Sequence, residues 1–160
     1  MEFFEKNEML RAGSEVKVTV LVVEDNRVER MRLQAVLQSM GMAPILAENA
    51  TEALRFIKKR KVDIVLSDWL MPGMTGLEFC QRLAEDEDLG RPYFIMLTGR
   101  NASVDLIAAM DAGADDYIAK PAWREELRVR LQAGVRSLNR AGRRHQISST
   151  PGLVWVDAKA

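Results

Sequence analysis

The chain has 160 residues, of which 48% are apolar and 29% charged, enough for one domain with a full core. Lys plus Arg and Asp plus Glu balance at 23 each, so no global field draws the protein toward nucleic acid or a membrane surface. The single cysteine, Cys80, excludes an internal disulfide and suits a reducing cytoplasm. The N-terminus has no basic segment followed by an apolar one, and no run approaches the roughly 18 apolar residues of a membrane span.

Residues 1–15 read as a mixed, polar leader ending at Gly13-Ser14. Val16 to Val23 is a strand of high β-propensity that ends in Glu24-Asp25-Asn26. A helix is expected to about Met40, with Leu33, Val36, Leu37 and Met40 on one face and Gly41 as its C′ residue. Ile45–Ala47 is a weaker second strand, and Asn49 caps a helix whose Ala53, Leu54 and Ile57 face inward. Lys58-Lys59-Arg60-Lys61 reads as a solvated helix end that complements the dipole.

The run over 62–67 is short, β-branched and almost uninterrupted, the pattern of a strand buried on both faces. It stops at Asp68, and a turn-rich loop containing Pro72-Gly73 and Thr75-Gly76 follows. A third helix begins at Leu77 with Cys80 and Leu83 and leaves through Glu85-Asp86-Glu87-Asp88. Tyr93–Leu97 is a fourth strand ending in Thr98-Gly99, and Ser103 is expected to cap a helix through Met110. Asp116–Ala119 is a fifth strand ending at Lys120-Pro121, and a last helix runs from about Arg124 to Asn139. Residues 140–160 read as a linker or C-terminal tail. They are too few for an output domain, and His145, the only histidine, reads as an exposed linker residue.

Five strand–helix alternations with short connections specify a parallel sheet with right-handed crossovers and helices on both faces. Four strands then end in polar groups on one edge: Glu24-Asp25, Asp68, Thr98 and Lys120; Glu48-Asn49, after the second strand, is left without a role. At the topological switch point the first and third strands adjoin, so Glu24, Asp25 and Asp68 cluster. Mg²⁺ suits such a set of carboxylates. A lysine and a hydroxyl around one carboxylate make sense if that carboxylate is a nucleophile that forms an aspartyl phosphate. Taken singly, Glu24-Asp25-Asn26 reads equally as an N-cap cluster, Asp68 as a turn former, Thr98 as a cap and Lys120 as a surface lysine. Together they sit at successive strand ends with the charges a phosphorylation site needs.

The stretches Val20-Leu21-Val22-Val23-Glu24-Asp25-Asn26, Ser67-Asp68-Trp69-Leu70-Met71-Pro72-Gly73-Met74-Thr75-Gly76, Leu97-Thr98-Gly99 and Ala112 to Pro121 carry a family resemblance. Over about residues 16–139 the chain resembles the response-regulator receiver domain of two-component signalling. The resemblance implies a flavodoxin-like, doubly wound α/β fold with a five-stranded parallel sheet of order 2-1-3-4-5 and five helices. It implies Asp68 as phosphoacceptor, Asp25 and Asp68 as direct Mg²⁺ ligands, Glu24 acting mostly through water, and the Leu70 carbonyl as a further ligand. Thr98 and Lys120 would hold the phosphoryl group, Tyr117 would be the aromatic switch residue, and Lys120-Pro121 would be a cis peptide.

The same resemblance implies a chain that catalyses only its own phosphorylation and dephosphorylation, served by a sensor histidine kinase or histidine phosphotransfer protein in a bacterial cytoplasm. A homodimer would form through the fourth helix, fifth strand and fifth helix, or through the extended last helix: Leu127, Leu131, Val135 and Leu138 fall at spacings of four, four and three, the first turns packing on the sheet and the later turns extending past the domain edge to meet a second copy. Neither direct nucleic-acid binding nor a membrane is implied. Two departures stand out: Gly99 where the family more often has Ala or Ser, and the bulky Trp69 beside the acceptor. A haloacid-dehalogenase-type phosphatase wants a second Asp two residues after the nucleophile, where this chain has Leu70. A pseudo-receiver acting only in protein contacts loses acidic or lysine positions that are all present here.

Overall fold

Five parallel strands pair in the order β2-β1-β3-β4-β5: β1 Val20–Val23, β2 Ile45–Ala47, β3 Ile64–Asp68, β4 Tyr93–Thr98 and β5 Asp116–Ala119. The helices are α1 Arg27–Ser39, α2 Ala50–Lys59, α3 Gly76–Glu85, α4 Ser103–Asp111 and α5 Arg124–Arg140. The structure is a computed structural model and describes residues 18–99 and 103–141. The leader 1–15, the start of the expected first strand at Val16 and Lys17, and the tail beyond residue 141 lie outside the described residues.

Strand pleating divides the core into two. Leu21, Val23, Val65, Phe94 and Met96 face α2, α3 and α4, where Leu54, Ile57, Phe79, Leu83 and Ala109 meet them. Val20, Val22, Ile64, Leu66, Ile95, Leu97 and Ile118 face the opposite way, against Leu33 and Leu37 of α1 and Leu127, Leu131 and Leu138 of α5. Both faces are covered, which is why the central strands read as continuous apolar runs instead of alternating.

Three helices start on side-chain caps that meet the orphan amides of their first turns. Asn26 caps α1 through the Glu29 N–H at 3.1 Å, Asn49 caps α2 through Glu52 at 2.8 Å, and Thr75 caps α3 through Glu78 at 3.1 Å. The Asn49 cap is as expected. Ser103 already lies inside α4, and the residue before it is outside the described set. The acidic exit of α3 contains a short 3-10 turn, Glu87–Leu89, that buries Leu89.

The last helix departs from expectation. Its later turns do not run free of the domain: Leu138 is 5% exposed, and Val135 packs against the same cluster. The first turns, with Leu127 and Leu131, pack on the sheet as expected, and Val135 and Leu138 join the same core, so the later turns form no dimer seam. Gly134 lets the helix lie close to the sheet, because a Cβ there would meet the Tyr93 ring at 2.8 Å. Leu138→Ala should then lower stability by about 2–5 kcal/mol, as for a core leucine, in a urea titration. An outward-facing leucine would lose almost nothing.

Candidate functional site

The sheet order brings the strand ends together. Val23 pairs with Ser67, so Glu24 and Asp25, just past β1, stand beside Asp68 at the end of β3. Thr98 ends β4, and Lys120 follows β5, its backbone N–H bonded to the Thr98 carbonyl at 2.6 Å. The Lys120-Pro121 peptide is cis.

Ligating oxygens of Glu24, Asp25 and Asp68 all lie within 4.8 Å of one another. Lys120 Nζ sits 2.8 Å from Glu24 Oε2 and 3.1 Å from Asp68 Oδ1. Glu24 is 1% exposed and Asp68 8%, whereas Asp25 faces solvent. Three carboxylates against one ammonium leave a local surplus of negative charge. This all-oxygen, partly open donor set fits a hard divalent cation. A cleft of about 380 Å³ adjoins the cluster, lined by Asp68, Trp69, Leu70, Thr98, Gly99 and Lys120.

Electrostatics agrees with this picture. Burial holds Glu24 above the ordinary carboxylate value, and the nearby Asp68 charge adds to the effect; the hydrogen bond from Lys120 only partly opposes it. For Lys120 the balance falls the other way. Burial favours its neutral form, but Glu24 and Asp68 together hold its ammonium above the ordinary lysine value.

Backbone devices aim Asp68. The Trp69 N–H donates to Asp68 Oδ1 at 2.9 Å, while the Trp69 ring packs against the α2–α4 core and also borders the cleft. Gly76 presses α3 against the end of β3, and its N–H donates to the Trp69 carbonyl at 2.8 Å. A Cβ at Gly76 would collide with the Asp68 carbonyl. Tyr117 is half-buried and packs on the core shared with α4. Leu70 is exposed beside the cleft.

Three contributors have no signature in the sequence. Arg30 hydrogen-bonds the Glu24 carbonyl at 2.8 Å and Glu48 at 3.2 Å, and Glu48 had no assigned role. Gly76, read as a turn residue, is required by a close backbone approach.

The family model for the response regulator receiver domain matches residues 20–132. The chain is 38% identical over 118 residues to the phosphate regulon transcriptional regulatory protein PhoB of Pseudomonas aeruginosa, covering 74% of this chain and 52% of that protein. It spans about half the length of the curated relatives it matches. Among solved structures, the receiver domain of a Pseudomonas aeruginosa sensor histidine kinase, determined with a magnesium ion in its active site cleft, is 30% identical. Its TM-score is 0.68, over 75% of this chain and 98% of that one. The Vibrio cholerae chemotaxis protein CheY4 is 29% identical with a TM-score of 0.69, over 74% and 98% respectively.

Two outcomes are expected. Because its folded value is raised, Glu24 contributes stability that is complete below its ordinary value of 4.5 and is lost as pH rises through the raised one. In metal-free buffer, stability should fall over that window, and Glu24→Gln should remove this part of the slope in urea titrations at successive pH. Gly76→Ala should cost about 1–3 kcal/mol in the same assay at neutral pH, with the amide signals of Asp68 and Trp69 displaced.

Proposed function

Because the chain belongs to the response regulator receiver domain family, we propose that it is a phosphorylation-controlled switch with Asp68 as acceptor. The observation that carries this is Lys120 Nζ, set between Glu24 and Asp68 at 2.8 and 3.1 Å, in a cleft that Thr98 also lines. The Asp68 carboxylate attacks the phosphorus of a phosphohistidine; a P–O bond forms, the P–N bond breaks, and the imidazole leaves with the bonding pair. Lys120 and Thr98 hold the phosphoryl oxygens, so the chain's work is positioning and charge neutralisation. Glu24, Asp25 and Asp68, with the Leu70 carbonyl, would hold Mg²⁺, which when bound neutralises charge on the carboxylates and the transferring group.

The donor is a sensor histidine kinase or histidine phosphotransfer protein in the cytoplasm. No helix among the described residues is long and apolar enough to cross a membrane. Phosphorylation adds about 1.5–2 negative charges at the acceptor and draws Thr98 and Lys120 inward. Tyr117 follows Thr98, shifting the population of states at α4, β5 and α5. That surface exposes Leu106, Ile107 and Met110 of α4 and Val129 of α5, beside an Arg130–Asp116 ion pair at 3.4 Å. This mixed apolar and charged face suits a second copy of the chain.

Tryptophan fluorescence should change saturably with Mg²⁺ and again with beryllofluoride, since Trp69 borders the acceptor. Asp68→Asn should lose the second response, and sizing of the same samples should show dimer only with beryllofluoride. A flat response, with no beryllofluoride-induced NMR shifts at the site, would leave a pseudo-receiver.

A further inference from the structure

Arg30 carries a nearly buried charge that takes no part in phosphoryl transfer. Its side chain is 11% exposed. Nη1 donates to the backbone carbonyls of Glu24 at 2.8 Å and Asp25 at 3.4 Å, and Nη2 donates to Glu48 Oε1 at 3.2 Å. The Glu48 backbone is anchored by its N–H donating to Glu52 Oε2 at 2.8 Å, while its carboxylate is 69% exposed. The Glu24 N–H donates to the Ala47 carbonyl at 3.1 Å. One guanidinium therefore joins the ends of two neighbouring strands at the functional edge, and it grips the backbone of the acid pair instead of neutralising its carboxylates.

We infer that Arg30 is a positioning residue for the cation site, fixing the backbone from which the Glu24 and Asp25 carboxylates reach toward Asp68. The inference rests on the proposed function, in which a divalent cation is that cluster's ligand. Two effects of the side chain oppose each other. Its positive charge repels a cation, but Glu48 offsets that charge, and screening at the solvent edge limits the remainder to a few-fold in affinity. Its two-carbonyl grip acts as the outer-shell partners of metal ligands do, whose loss costs about 10–100-fold in affinity. The grip wins. The fork divides the work, Nη1 taking both carbonyls while Nη2 takes Glu48, and a single lysine ammonium, a point charge, cannot hold the two carbonyls and Glu48 from two separate nitrogens.

Mg²⁺ titration of tryptophan fluorescence tests this on wild type, Arg30→Met, Arg30→Lys and Arg32→Met. Arg32 lies on the same helix but donates to the Ala122 carbonyl at 3.1 Å and to Glu29, so its loss loosens α1 without touching the acid pair. Wild type should bind tightest, Arg30→Lys more weakly, and Arg30→Met at least about tenfold more weakly than wild type. Arg32→Met should stay within about twofold of wild type. The Asp25 and Asn26 amides of metal-free Arg30→Met should shift in NMR spectra. Arg30→Lys keeps the charge and loses the fork, so it decides the matter even where Arg30→Met does not fold. Unchanged Mg²⁺ affinity in Arg30→Lys, tighter binding in a folded Arg30→Met, or an equal loss in Arg32→Met overturns the inference alone. No Mg²⁺ response in wild type overturns the functional reading, and the inference with it.

Discussion

Crowding of negative charge at one sheet edge is the constraint on which the site depends. Oxygens of three carboxylates lie within 4.8 Å of one another, and a single lysine stands among them. Placing Glu24 almost wholly out of water is unfavourable for its charged form. The arrangement persists because rigid elements impose it: parallel pairing of β1 with β3, caps at Asn26 and Thr75, and the seating of α3 on the Asp68 carbonyl at Gly76. A site held in this state is ready to accept positive charge and, with it, a phosphoryl group.

The two faces of the sheet divide the labour. On the α1–α5 face, interlocking aliphatic side chains hold the helices down, and the last turns of α5 belong to that core. On the other face, β5 presents Tyr117 to the core shared with α4, whose outer surface keeps Leu106, Ile107 and Met110 in solvent. At the functional edge β4 and β5 are joined by the Lys120 N–H donating to the Thr98 carbonyl. Helix α1 serves a different end. Arg30 holds the acid loop, whereas Arg32 ties the same helix to the Ala122 carbonyl, away from the acid pair.

Much of this was legible from residue order. Fold class, all five strands to within a few residues, the Asn49 cap and the convergence of Glu24, Asp25, Asp68, Thr98 and Lys120 follow from patterns that act locally: apolar runs, turn residues, and polar groups where a run stops; the full strand order came with the family resemblance. They hold because a parallel sheet puts every strand's carboxyl end on one edge, so position along the chain converts into position in space. What only the tertiary structure decided depends on distances between segments far apart in sequence. The spacing of Val135 and Leu138 is the same whether the later turns meet a partner or their own sheet; here they join the cluster that holds Ile64, Leu66 and Ile95. Gly76 looks like any turn glycine until the Asp68 carbonyl lies against it. Arg30 looks like any surface arginine until β2 brings Glu48 alongside. Periodicity reports which side of an element is apolar, and it carries no information about what that side will meet.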